Sequence, residues 1–72
     1  MNREDIIKAV DLEMLRAGAQ FPPMRSAHEG IAVIEEEFME LREAVFWGRG
    51  DWKVEAVQLA AMACRLLQDV AK

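Results

Sequence analysis

The stretch Ser26-Ala27-His28-Glu29-Gly30-Ile31-Ala32-Val33-Ile34-Glu35-Glu36-Glu37-Phe38-Met39-Glu40 decides how this 72-residue chain folds. Ser26 followed three residues later by Glu29 has the form of a capping box, so a helix is expected to begin near Ala27. Beyond it Ile31, Ile34, Phe38, Leu41 and Val45 form an apolar stripe at helical spacing, read as the side turned to the core. Gly48-Arg49-Gly50 cannot sustain a helix cheaply, which places the stop near Trp47. Gly30 inside the helix is a local weakness of about 1 kcal/mol relative to Ala.

Outward from that helix, Pro22-Pro23 breaks the chain on one side and disfavours helical geometry at Phe21. Before the break, Ile7, Val10, Met14 and Ala17 mark a first amphipathic helix, with Asn2 as its cap and Gly18 suited to its C-terminal stop. On the other side Asp51 caps a third helix that runs nearly to the last residue. No window alternates with a period of two, so the expected fold is all-α, one domain over residues 1–72. From Ala56 to Leu67 only Gln58 and Arg65 are polar. A chain this short removes only about 60% of its surface from water on folding, so a second copy is the expected cover for so apolar a helix. The alternative is a core helix in a monomeric three-helix bundle.

Thirteen acidic against nine basic residues give a net charge of −4, the wrong sign for a nucleic-acid binder. One Cys and one His cannot build a disulfide or a tetrahedral zinc site, which fits a cytoplasmic setting. No run approaches the roughly 18 apolar residues of a membrane span, and Arg3, Glu4 and Asp5 open the chain without a signal-type apolar core. No membrane partner is expected. His28 reads as a local hydrogen-bonding residue, Cys64 as a small core hydrophobe, and Phe21, Trp47 and Trp52 as aromatics that close the ends of the bundle.

Six of the thirteen acids lie between Glu29 and Glu43. Glu37 and Glu40 share a helical row with Val33, Ala44 and Trp47, so apolar residues flank the acidic pair. The third helix carries a matching row of Glu55, Gln58, Met62, Arg65 and Asp69. If the rows face each other, Glu37, Glu40 and Glu55 converge, and three like charges in a partly dry site call for a divalent cation. Oxygen ligands without thiolates point to magnesium, with manganese as the substitute.

The run Ser26 to Glu40, with Glu36-Glu37-Phe38-Met39-Glu40 inside it and Glu55-Ala56-Val57-Gln58 after a short turn, resembles the MazG-like branch of the all-α nucleoside triphosphate pyrophosphohydrolases. That family's hallmark is Glu-Glu-x-x-Glu on one helix and Glu-x-x-Asp on the next; the likeness covers roughly residues 20 to 70. It implies a three-helix protomer in a helical-bundle homodimer, or a dimer of dimers, that hydrolyses a nucleoside triphosphate to monophosphate and pyrophosphate with magnesium, as in nucleotide-pool housecleaning. Carried onto matching positions, the metal ligands are Glu37, Glu40, Glu55 and Gln58, with Gln58 standing where the hallmark has Asp. Glu36 or Glu37 is the expected general base, and Arg65, Arg49 and Lys53 are the expected contacts for the triphosphate. The missing carboxylate at Gln58 also fits a second reading, a helical dimer that keeps the fold and serves as an interaction or nucleotide-sensing module. In a third, the exposed third helix docks on a different protein.

Overall fold

A computed structural model describes residues 1–71. It contains three helices, α1 (Arg3–Gln20), α2 (Ala27–Trp47) and α3 (Trp52–Val70), and no strand among the described residues. The helix α3 lies in the middle, with α1 packed on one side of it and α2 on the other.

Local chemistry fixes the helix ends. Asn2 caps α1 in a complete capping box: its Oδ1 accepts from the Asp5 amide at 2.9 Å, and Asp5 Oδ2 accepts from the Asn2 amide. At α2 only half of the expected box forms. Ser26 Oγ accepts from the Glu29 amide at 3.1 Å, whereas the Glu29 carboxylate pairs with the guanidinium of Arg25 at 3.3 Å. A charged partner within reach outcompetes a neutral backbone donor. Gly48 ends α2 in the left-handed region at φ 66°, and Asp51 Oδ1 caps α3 through the Lys53 amide.

Two expectations need correction. Gly18 does not end α1, which runs on to Gln20; the stop comes from Pro22, which holds Phe21 extended at φ −122°, ψ 147°. A glycine costs a helix only about 1 kcal/mol, less than the steric demand of a proline. The α2 stripe is also turned to the core only in part: Ile34 packs there and Leu41 is partly covered. Ile31, Phe38 and Val45 are each at least half exposed, and the side of α2 that meets α3 carries Gly30, Val33, Glu37 and Ala44.

The core is small and thin: Ala17, Met24, Ala61 and Met62, with Val10, Met14, Val33, Ile34, Leu66 and Val70 packed around it. Gly30 belongs to this packing, because a Cβ built there would collide with the side chain of Leu66 on α3. The helix weakness read from sequence is therefore a point of close α2–α3 approach. The apolar circumference of α3 is in part used within the chain, since two helices flank it. Phe21, Trp47 and Trp52 do not close the bundle ends; all three are more than half exposed, and Trp47 lies with Phe46 beneath the guanidinium of Arg42. No helix is long and apolar enough to cross a membrane among the described residues.

Candidate metal centre and the groove beside it

The two polar rows do meet. Glu37 and Glu40, one turn apart on α2, face Glu55 in the first turn of α3, and one carboxylate oxygen from each lies within 4.8 Å of the others. Glu40 is exposed, while Glu37 and Glu55 are half-buried. The Oε2 atoms of Glu37 and Glu55 are fully shielded from solvent and have no hydrogen-bond partner. Burying an anionic oxygen without a partner is costly, so the arrangement is electrostatically incomplete.

Proton affinities report the same imbalance. Burial, then the neighbouring carboxylates of Glu40 and Glu55, push the Glu37 carboxyl above its ordinary value of 4.5, with a smaller contribution from Glu13 on α1. Burial and then Glu40 push Glu55 up likewise, Asp51 adding to it. A divalent cation would relieve the burial of these charges and their mutual repulsion together. Magnesium holds oxygen ligands at about 2.0–2.1 Å, so Glu37, Glu40 and Glu55 would have to draw together to hold one. The donor set, oxygen only and three formal negative charges, suits magnesium or manganese.

The other expected site residues are placed differently. Glu36 is exposed on α2 and borders, with Glu37, a groove of about 290 Å³ between α2, α3 and the Pro22-Pro23 loop. Gln58 lines a second, more open groove between α1 and α3, together with Glu13 and Arg16. Arg49 and Lys53 are exposed in the α2–α3 connection. Arg65 is only 5% exposed. Its guanidinium donates to the Pro22 carbonyl at 3.1 Å and lies 3.8 Å from Asp69 Oδ2, so it is engaged in holding the loop. Of its expected partners, Asp69 is within ion-pair distance.

Two residues beside the cluster escaped sequence reading. Glu13 of α1 acts electrostatically on Glu37, and Arg16 pairs with Glu13 through both carboxylate oxygens while feeling the Glu37 charge. The signal was there: Glu13 sits one turn after Val10 and one turn before Ala17, beside the row that packs on α3.

No family model, curated protein or solved structure matches the chain.

Proposed function

We propose that the chain is a magnesium-dependent nucleoside triphosphate pyrophosphohydrolase of the MazG-like kind, acting as a homodimer or a dimer of dimers. The observation that carries this reading is the convergence of Glu37, Glu40 and Glu55, with two shielded oxygens left unpartnered. Phosphoryl transfer asks little of a protein beyond positioning and charge stabilisation. A bound divalent cation supplies neutralisation of phosphate oxygens and acidification of water. The chain's own part is to hold the triphosphate against the cluster and to take a proton. Glu37 suits the second task, because a carboxylate with raised proton affinity is a better base near neutral pH. Water attacks the α-phosphorus, its proton passes to Glu37 or to the adjacent Glu36, and the bond to the bridging oxygen breaks to release pyrophosphate. Arg49 and Lys53 are the exposed cations available to the leaving phosphates; Arg16 is held by Glu13, and Arg65 acts from within the wall.

Self-association is part of the proposal. Ile31, Phe38 and Val45 repeat at intervals of seven, as one row of a helix–helix seam does, and all three lie at least half open. A second copy laid on this row would cover it.

The test is pyrophosphate release from a panel of canonical and modified nucleoside triphosphates with magnesium. Activity that disappears in Glu40→Gln supports the enzyme. Silence across the panel, with no thermal shift on adding magnesium or manganese, removes it in favour of the interaction or nucleotide-sensing module, the reading that the amide at Gln58 favours.

A further inference from the structure

The groove shared by Glu36 and Glu37 has a marked asymmetry in its hydrogen-bonding side chains. Its apolar walls are Phe21 and Pro22 from the loop, Val33 from α2 and Met62 from α3. Its acceptors are the carboxylates of Glu29, Glu36 and Glu37, at intervals of seven and one along α2; one oxygen of Glu29 is taken by Arg25, which leaves Glu36 and the other Glu29 oxygen to a ligand. Its one donor side chain, Arg65, is turned to the Pro22 carbonyl and Asp69. Among the side chains that line the groove, a molecule therefore meets free acceptors and no free donor, with Arg25 standing outside the lining on Glu29. At about 290 Å³ the space lies at the small end of ligand pockets, enough for a single flat ring system with part of what it is attached to. Phe21, half exposed at the edge, offers a ring face for stacking.

We infer that this groove is the base-recognition site and that it selects cytosine and adenine, whose amino group stands where uracil and thymine carry a carbonyl oxygen, over uracil and thymine. The inference rests on the reading of the neighbouring cluster as the triphosphate site, since Glu37 belongs to both and fixes which end of a nucleotide lies where. An amino group donates to the Glu29 or Glu36 carboxylate in a charge-assisted hydrogen bond. Uracil and thymine present a carbonyl oxygen at that position, which would face an anionic oxygen with no proton between them. Discrimination of this kind comes from repulsion as well as attraction. The Arg65–Asp69 pair contributes indirectly: by holding Pro22 and Met24 it keeps the loop wall, and with it Phe21, against the groove.

Uncharged nucleosides test this without any hydrolysis. Cytidine, adenosine, uridine and thymidine are titrated separately into the full chain, with no metal, and the methyl signals of Met24 and Met62 and the ring signals of Phe21 are followed by NMR. Cytidine and adenosine should shift these signals with a dissociation constant at least about tenfold below that of uridine and thymidine. Phe21→Ala should weaken all four, and Glu29→Gln or Glu36→Gln should narrow the gap, because an amide can present a donor to a carbonyl. Equal affinity for cytidine and uridine, shifts confined to other residues, no shift with any nucleoside, or a preference untouched by both Gln variants would each overturn the inference. Selective nucleoside binding by a chain that releases no pyrophosphate would remove the hydrolase reading while leaving this one standing.

Discussion

The carboxylate of Asp69, at the end of α3, accepts a hydrogen bond from the backbone amide of Met24 at 2.9 Å, across 45 positions of sequence. With Arg65 reaching the Pro22 carbonyl, it turns a proline-broken connection into a fixed wall between α1 and α2. Both side chains are nearly buried, so each depends on the other. Asp69→Ala would leave the Met24 amide and the Arg65 charge unpaired, at a cost of about 2–4 kcal/mol in urea unfolding. Asp69→Asn, which keeps an acceptor, should lose less than half of that. Equal stability of wild type and Asp69→Ala would show that the loop is held by packing alone.

Gly30 supports a prediction against ordinary helix propensity. In an exposed helix Gly→Ala gains about 1 kcal/mol. Here the added methyl meets the Leu66 side chain, so Gly30→Ala should be destabilising by about 1–2 kcal/mol, and Gly30→Ala combined with Leu66→Ala should recover part of the loss relative to Leu66→Ala alone. A double-mutant cycle in urea measures the coupling; an additive result would mean that the two helices do not approach as closely as Gly30 and Leu66 indicate.

These two sites show which features of the chain are legible before folding. Helix identities, the Asn2, Ser26 and Asp51 caps and the meeting of Glu37, Glu40 and Glu55 follow from local chemistry and helical spacing, and they are read correctly. Facing is harder. In α2 two rows compete, one apolar from Ile31 to Val45 and one mixed through Val33, Glu37 and Ala44, and hydrophobicity alone favours the first as the inner one. The second lies inside because Gly30 and Ala44 let α3 come close, while bulky Phe38 would hold it off. Arg65 is the other case. Its burial on an apolar helix demands a partner, but the Pro22 carbonyl is a backbone atom 43 positions away, and no side-chain pattern encodes it.

The outward row of α2 makes the oligomeric state a direct measurement. The chain mass is 8.2 kDa, and light scattering should return twice that or four times it at micromolar concentration. Phe38→Asp puts a charge in the middle of the row without touching the core, and should shift the mass down to that of one chain with helicity largely kept. A wild-type mass of one chain would remove self-association from the proposal.

The acidic cluster ties stability to pH with a definite sign. Glu37 and Glu55 bind protons more tightly folded than unfolded, so their protonated forms favour the fold. That contribution is full below the ordinary carboxyl value of 4.5 and is lost as pH rises through the raised folded values. In metal-free buffer the melting temperature should therefore fall as pH is raised from about 5 toward 8. Glu40→Gln, which removes the charge that both partners feel, should flatten this slope and raise the metal-free melting temperature at pH 8 by a few degrees. Millimolar magnesium should do the same for wild type and little for Glu40→Gln. A wild-type slope unchanged by magnesium would mean that the cluster holds no cation.

A carboxylate in place of the Gln58 amide tests how far the acidic cluster extends along α3. This residue follows Glu55 by one turn of α3 and lines the groove with Glu13 and Arg16, whose charges reach Glu37. Gln58→Asp adds an anion at the edge of the cluster. Without metal it should lower stability at pH 8, because the added charge meets Glu55 and Glu13, partly offset by Arg16. With magnesium it should raise affinity by about tenfold or more, since each added carboxylate supplies both a ligand and a charge. The two effects have opposite signs, so thermal melts with and without magnesium separate them. A variant that loses stability in both conditions alike would place Gln58 outside the reach of a cation at the cluster, and the candidate ligand set would end at Glu37, Glu40 and Glu55.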